Sequence, residues 1–197
     1  MLQPLKKEQV ILASTAKWRS QVLTQMGIEH RMITPRYDEP AFDDGSIEDH
    51  VQMLAQGKAE SLMRDFPSAI IIGADQLCVV DYDVLGKPGS LEKAKEQLTL
   101  LQGRSHRLVN GLSIIYKGKR QVRLEEAFLT MRELTGAEID FYLKKDNPIE
   151  ACGSYLIEGM GLSLFTKIQT RDINTITGLP TCLLMEMLTS LGFTNLA

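Results

Sequence analysis

The stretch Ile70-Ile71-Ile72-Gly73-Ala74-Asp75-Gln76 joins a continuous aliphatic run to a carboxylate. Such a run beside a glycine is typical of a strand that is buried on both faces, in the interior of an α/β sheet. Ligands of these sheets bind just beyond the carboxyl ends of the strands. The stretch therefore predicts an α/β fold. It leaves two interpretations of Asp75, a catalytic carboxylate or a cap of the following turn.

Strand patterns and helix patterns alternate on both sides of this stretch. Strands are predicted at 10–14, 69–72, 77–80, 107–116 and 121–130, with a hairpin turn at 81–83. Helices are predicted over 16–26, from a cap at Ser46 to Arg64, over 91–101, over 137–144 and over 181–191. The acidic segment 35–45 is predicted to be a loop, and the last third is predicted to be loop-rich around Gly153, Gly159 and Gly161. This order favours one domain over residues 1–197, with two lobes that are not separable domains.

Composition narrows the class of protein. The 197 residues, 44% of them hydrophobic, are enough for one sizeable core. No apolar stretch approaches the roughly 20 residues that span a bilayer, and the first residues mix Lys and Glu without the apolar core of a signal peptide. We therefore expect a cytoplasmic protein without a membrane partner.

Charge and cysteine content narrow the partners. A net charge of −3 argues against a nucleic-acid polymer as a partner, because proteins that bind such polymers usually have a basic face. The charge is compatible with a small-molecule nucleotide substrate. The three cysteines, Cys78, Cys152 and Cys182, are odd in number and widely spaced. This pattern predicts reduced thiols rather than disulfides or a zinc site.

The first predicted strand ends in a turn that combines hydroxyls, cations and the start of a helix. Unpaired N–H groups at such a turn attract anions, so Ser14 and Arg19 are candidate phosphate ligands. The alternative is an ordinary capped helix with a surface arginine. Trp18 is the only tryptophan, and it either stacks on a base or packs in the core.

Further charged residues are candidates for chemistry if the fold brings them together. Glu39, Lys58, Asp75 and Lys87 would then provide two carboxylates for a metal ion and two ammonium groups for phosphates. Glu158, in a glycine-rich loop, is either a ligand-reading residue or a surface glutamate.

One histidine also has two interpretations. His106 follows a predicted helix end, and it is either a general base or a structural hydrogen-bonding residue.

Taken together, these motifs resemble the Maf-like family of nucleoside triphosphate pyrophosphatases. The matching elements occur in the family's order: Leu12-Ala13-Ser14 through Trp18-Arg19, Asp38-Glu39, Leu54-Ala55 to Lys58-Ala59, Gly73 to Gln76, Gly86-Lys87-Pro88, Gly103 to His106, Gly153-Ser154-Tyr155 to Glu158-Gly159, and Asp172 to Gly178-Leu179-Pro180. The resemblance implies an elongated, mixed-sheet α/β fold of the Maf and inosine-triphosphatase type, with two lobes flanking a nucleotide cleft, usually in a homodimer.

The resemblance also implies an activity. It points to a hydrolase, dependent on Mg²⁺ or Mn²⁺, that cuts a nucleotide between the α and β phosphates to give the monophosphate and pyrophosphate. Trp18, Gln76 and Glu158 are similar to the set found in the branch that acts on 7-methyl-GTP. Methylation at N7 makes guanine cationic, so an aromatic face and a carboxylate suit it.

Roles for single residues follow from the same resemblance. Asp75 corresponds to the general base that activates water, and Glu39 to a metal ligand that shares the ion with Asp75. Lys58, Lys87 and Arg19 correspond to residues that hold phosphates.

Departures from the family pattern keep two alternatives open. Ala16-Lys17 replace the usual Ser-Pro, Ser20 stands where the 7-methyl-GTP branch often has arginine, and Leu156 stands where a cation is often seen. One alternative is a catalytically weakened nucleotide-binding regulator linked to septum formation. The other is a dTTP or UTP pyrophosphatase.

Overall fold

A computed structural model describes residues 2–42 and 45–196, so Asp43 and Asp44 of the predicted acidic loop lie outside the described residues. The strands are β1 (Gln3–Pro4), β2 (Val10–Ala13), β3 (Arg31–Ile33), β4 (Ile70–Val80), β5 (Asp83–Leu85), β6 (Ser105–Tyr116), β7 (Lys119–Met131), β8 (Phe165–Thr170) and β9 (Phe193–Thr194). The α-helices are α1 (Lys17–Gln25), α2 (Ile47–Glu60), α3 (Leu91–Leu101), α4 (Gly136–Asp146) and α5 (Thr181–Ser190). Short 3-10 helices occupy Leu5–Lys7, Cys152–Ser154, Met160–Leu164 and Ile173–Thr175.

The larger sheet has the strand order β3-β2-β4-β6-β7-β8, and β5 pairs with β4. The strands β3 and β4 lie parallel to β2, whereas β5 runs antiparallel to β4 and β8 antiparallel to β7. The fold is therefore a mixed α/β fold, as predicted. A small second sheet pairs β1 with β9 in parallel.

The contacts between residues divide the chain into two compact units. The first comprises Met1–Asp75, Asn110–Glu125 and Asp172–Ala197, and the second comprises Gln76–Val109 and Glu126–Arg171. Asp75 is thus the last residue of the first segment, and Gln76 is the first residue of the second unit. That the chain is one inseparable domain with a nucleotide cleft stays a prediction.

In the first unit, alternate residues of β2 and β4 pack against different helices. Ile70 and Ile72 join a core cluster with buried residues of α1 and α5. Ile71 joins a different cluster, with Ala59 of α2 and Leu62. Side chains alternate between the faces of a strand. The continuous aliphatic run of β4 therefore packs against helices on both faces of the sheet, as the sequence pattern predicts.

Two glycines allow α2 to lie close to the sheet. A Cβ atom at Gly73 of β4 would overlap the carbonyl oxygen of Ala55, and one at Gly111 of β6 would overlap the carbonyl oxygen of Val51. Backbone atoms of a packed helix cannot move aside as a flexible side chain can. These glycines therefore set the distance between α2 and the sheet.

In the second unit, α3 and α4 pack against each other. The helix α3 also contacts the 3-10 helix Cys152–Ser154, and α4 contacts the 3-10 helix Met160–Leu164. The buried residues of the two helices are Ala94, Leu98 and Leu101 of α3, and Ile139, Tyr142 and Leu143 of α4. Thr135 and Glu138 form a capping box at the start of α4.

The prediction that a strand ends before Asp75 is wrong. Two segments, 69–72 and 77–80, were expected, but β4 runs without a break from Ile70 to Val80. Backbone hydrogen bonds hold a strand, so a glycine and a carboxylate interrupt the apolar pattern without ending the pairing. The neighbouring strand β2 does end here, since Ala13 pairs with Gly73. Asp75 consequently lies inside β4, just past the carboxyl end of β2.

Predictions of other helices, strands and cysteines agree with the structure in part, and the differences have physical reasons. The helix α3 has the predicted bounds, and Ser46 caps α2 by accepting a hydrogen bond from the N–H of Asp49. The strand β8 was not predicted; it lies in the loop-rich last third and pairs with β7 at the edge of the sheet. Half of its residues are exposed, so its apolar signal is weak. Cys78, Cys152 and Cys182 are free thiols, as expected.

Within residues 2–42 and 45–196, no helix is long and apolar enough to cross a membrane.

Candidate active site

The ammonium group of Lys58 contacts two carboxylates in the first unit. Its Nζ donates a hydrogen bond to Oδ1 of Asp75 and lies 3.0 Å from Oε1 of Glu39. The Lys58 and Asp75 side chains are 8% and 13% exposed, whereas that of Glu39 is 51% exposed. The structure thus brings together three of the predicted residues, with one buried cation between a buried and a half-exposed carboxylate.

Local structure explains how Lys58 reaches Asp75. Lys58 lies in the last turn of α2 and on its buried face. Gly73 and Asp75 are two residues apart in β4, so they share the face of the strand that α2 covers. Because Gly73 lets α2 approach, the long side chain of Lys58 runs along the strand to the carboxylate.

Tyr37 also lies beside these charges. Its ring packs against Gly57, the residue before Lys58. Burial raises the pKa of the Tyr37 hydroxyl, and the negative charges of Glu39, Asp75 and Glu60 raise it further. The phenol is therefore held neutral next to a group of carboxylates.

The turn after β2 is a separate group of predicted residues in the same unit. Ser14 is buried, and its Oγ accepts hydrogen bonds from the N–H of Ala16 at 3.1 Å and from Nη1 of Arg19 at 3.3 Å. The buried Arg19 also donates from Nε to the carbonyl oxygen of Gly178 at 2.9 Å. Arg19 is thus not the surface arginine of the alternative interpretation. Trp18 on α1 is half-buried.

The other predicted residues belong to the second unit. Gln76 accepts a hydrogen bond through Oε1 from the Cys152 thiol at 3.2 Å. Lys87 is exposed, and its Nζ lies 3.7 Å from a carboxylate oxygen of Glu150. Glu158 is exposed. The parts of Gln76, Lys87 and Glu158 in binding a substrate stay predictions.

His106 has a structural environment. It is buried, and its Nε2 lies 2.9 Å from the hydroxyl of Tyr155. The ring centroid of Phe165 is 5.9 Å from its own. Desolvation lowers the pKa of His106 to about 4. Such a neutral, enclosed imidazole favours the structural interpretation over a general base.

Comparison with known proteins places the chain in a family. The family model described as "Maf-like protein" matches residues 9–191. The chain belongs to the Maf-like protein family. Among solved structures, this Maf-like chain is similar to the Ham1 protein of Staphylococcus aureus, with 15% sequence identity and a TM-score of 0.53. The match covers 93% of this chain and 100% of the Ham1 chain, and it confirms the predicted fold type.

Two carboxylates of this Maf-like protein, Glu39 and Asp75, lie close enough to one ammonium group to be candidate ligands of a divalent cation. No group of three or more His, Cys, Asp or Glu side chains that could hold a metal ion occurs in the described part of the chain. Glu39 and Asp75 nevertheless converge on one positive charge. Mg²⁺ is usually bound by one or two carboxylates together with waters and substrate phosphates. The pair is a suitable donor set for such an ion.

The sequence of this Maf-like protein does not reveal two neighbours of its candidate site residues, Tyr37 beside Lys58 and Cys152 beside Gln76. The sequence pattern places Tyr37 in an acidic loop and indicates only a reduced thiol at Cys152. A glycine at position 57, inside a predicted helix, is the one sequence signal that something packs closely there. The Cys152 contact has no comparable signal, because it joins residues 76 positions apart.

Proposed function

We propose that this protein is a nucleoside triphosphate pyrophosphatase that hydrolyses the bond between the α and β phosphates of 7-methyl-GTP. The products are 7-methyl-GMP and pyrophosphate. The observation that carries the proposal is the contact of Lys58 with both Glu39 and Asp75, because it joins a candidate base, a candidate metal ligand and a cation for phosphate. Membership of the Maf-like family supports a nucleotide pyrophosphatase in general.

Asp75 is the proposed general base. Its carboxylate accepts a proton from water as the water oxygen forms a bond to the α-phosphorus. The bridging P–O bond breaks, and its electron pair leaves with pyrophosphate. Burial of Asp75 excludes bulk water, so its charge and that of Lys58 act strongly on the reacting groups.

Glu39 and Asp75 are the proposed ligands of Mg²⁺ or Mn²⁺. When bound, the ion would neutralise phosphate charge and lower the pKa of a coordinated water. Glu39 is half-exposed, so it can meet an ion that arrives with the substrate phosphates. Lys58 would then turn part of its hydrogen bonding from the carboxylates to a phosphate oxygen.

Arg19, Ser14 and Lys87 are further proposed phosphate ligands. The contact from Arg19 to Gly178 fixes the guanidinium beside the turn where α1 begins, and N–H groups at a helix start favour anions. Lys87 is exposed, which leaves its ammonium group able to reorient.

Trp18, Gln76 and Glu158 are the proposed readers of the base. Trp18 is half-buried, and an indole face attracts a cationic ring. The thiol of Cys152 orients the amide of Gln76. Glu158 adds a negative charge that favours methylated over unmethylated guanine. We also propose that the enzyme is a cytoplasmic homodimer without nucleic-acid or membrane partners.

The deciding experiment is a nucleotide panel. Purified protein is incubated with 7-methyl-GTP, GTP, dTTP and UTP, each with Mg²⁺, with Mn²⁺ and with excess chelator, and pyrophosphate is measured. We expect release from 7-methyl-GTP that requires metal. Release mainly from dTTP or UTP would overturn the specificity, and tight nucleotide binding without any release would identify a regulator.

A further inference from the structure

Gly57 is an unexpected residue for the interior of α2. The helix spans Ile47–Glu60, and glycine there is less favourable than alanine because its backbone loses more conformational freedom. Gly73 of β4 accommodates the backbone of α2, whereas Gly57 of α2 accommodates a side chain, that of Tyr37. A Cβ atom at this position would overlap Cζ of Tyr37 and lie 2.7 Å from its Cε1. Gly57 therefore forms a seat for the hydroxyl end of the Tyr37 ring.

The segment that carries Tyr37 is attached to the end of α2 by a second set of contacts. The N–H of Arg36 donates to Oγ of Ser61 at 3.0 Å, and its guanidinium pairs with Asp65. Ser61 in turn donates to the carbonyl oxygen of Lys58 at 2.8 Å. Tyr37 thus contacts α2 at Gly57, the residue before Lys58, and Arg36 is bonded to Ser61, the residue that follows the helix.

Glu39 follows Tyr37 by two residues, so this attachment holds the chain close to Glu39. A half-exposed glutamate gains little from a single ion pair, because ordering its side chain opposes the Coulomb attraction. Its 3.0 Å contact with Lys58 therefore needs a fixed backbone. The Tyr37 ring, packed on Gly57, supplies that constraint two residues before Glu39.

We propose that Tyr37 is a positioning residue for Glu39: its ring, seated on Gly57, holds the carboxylate beside Lys58 and Asp75. The catalytic consequence rests on the proposed function. The ring performs this role through packing, so the phenol hydroxyl is dispensable. The arrangement resembles the outer groups that orient metal ligands in other proteins.

The test combines substitutions at Tyr37, Gly57 and Glu39. Pyrophosphate release from 7-methyl-GTP is measured for Tyr37→Phe, Tyr37→Ala, Glu39→Ala and the double variant Tyr37→Ala/Glu39→Ala. Gly57→Ala is a second route to the same displacement, because it leaves Tyr37 intact and removes its seat. Tyr82→Ala is the matched control, since Tyr82 is 94% exposed. Thermal unfolding of each variant verifies the fold.

We expect Tyr37→Ala and Gly57→Ala to lower kcat/KM about tenfold, as loss of an outer positioning group does. Tyr37→Phe should stay within about twofold, and Tyr37→Ala should cost less than about twofold once Glu39 is already alanine, because the two residues act through one carboxylate. An equal cost of Tyr37→Ala with and without Glu39 would overturn the inference. A loss of kcat/KM in Tyr37→Phe as large as that in Tyr37→Ala would also overturn it.

Crystal structures separate this inference from the proposed function. If the unchanged protein releases no pyrophosphate, the proposed function fails, but the distance from Glu39 to Lys58 can still be compared between the unchanged protein and Gly57→Ala. Separation of the two side chains in the variant supports the positioning role. An unchanged distance overturns it.

Discussion

The ammonium group of Lys58 on α2 donates a hydrogen bond to Asp75 of β4, and both residues are buried. An isolated charge in such a place would be strongly unfavourable, so each of the two residues makes the other possible. Glu39 adds a second carboxylate to the same ammonium group. A buried cation shared by two acids is a more specific arrangement than the capped turn that the sequence left open for Asp75.

Asp75→Asn should remove most of the pyrophosphatase activity and leave the protein folded. Asparagine has the same shape but cannot take the proton from water, and a positioned general base contributes about 10²- to 10⁴-fold. Lys58 keeps Glu39 as a partner in this variant. Single-turnover pyrophosphate release measures the effect, with Asp140→Asn as the control at an exposed ion pair. A rate within a few-fold of the unchanged protein would exclude Asp75 as the base.

Lys58→Met should destabilise the protein by about 3–5 kcal/mol, because it leaves the Asp75 charge buried without its partner. The double variant Lys58→Met/Asp75→Leu should regain at least half of that loss, since neither charge remains. Urea unfolding with unchanged m-values gives the free energies of unfolding. If the double variant is as unstable as Lys58→Met, the unpaired charge of Asp75 is not the cause of the destabilisation.

Gly73→Ala should both destabilise the fold and reduce activity. The new Cβ would overlap the carbonyl oxygen of Ala55, so α2 must shift away from β4 and carry Lys58 with it. Overpacking of this kind costs about 1–3 kcal/mol. Gly136→Ala is the control, because its added Cβ would meet no heavy atom within 4 Å other than its chain neighbours and the backbone of its own helix. Equal stability of the two variants in urea would show that α2 accommodates the methyl group.

Trp18→Leu should reduce discrimination between 7-methyl-GTP and GTP. A cation–π contact contributes about 0.5–2 kcal/mol, which corresponds to roughly twofold to thirtyfold in the ratio of kcat/KM values. Leucine keeps an apolar surface on α1 but has no π face. The ratio measured under identical Mg²⁺ concentrations reports the effect. A ratio unchanged by the substitution would assign base recognition to other residues.

Stability should fall in acid because of His106. Its folded-state pKa of about 4 is below the ordinary value of 6.5, so the unfolded chain binds a proton first as the pH falls. The stabilisation is complete above pH 6.5 and is lost towards pH 4, and the pKa difference corresponds to about 3 kcal/mol.

His106→Gln isolates this contribution, because glutamine can still bond to Tyr155 but does not titrate. Urea unfolding at pH 7 and pH 4.5 should show a smaller decrease for the variant than for the unchanged protein. Equal decreases would assign the acid sensitivity to other groups.

Predictions from sequence succeeded where the determinants are local. The cap at Ser46, the bounds of α3 and the aliphatic run of β4 depend on neighbours a few residues away. The continuation of β4 through Asp75 was not predicted, because adjacent strands supply the hydrogen bonds that extend it. The burial of Arg19 was likewise decided by Gly178, 159 residues away.

The sequence by itself determined the type of fold, the alternation of helices and strands, and most of the candidate residues, since these follow from side-chain periodicity and residue chemistry. Only the tertiary structure decided that Glu39, Lys58 and Asp75 meet and that Tyr37 lies on Gly57. The physical reason is distance along the chain. Glu39 and Asp75 are brought to one ammonium group by the close packing of α2 on β4, and that packing depends on space at glycines that a linear pattern does not reveal.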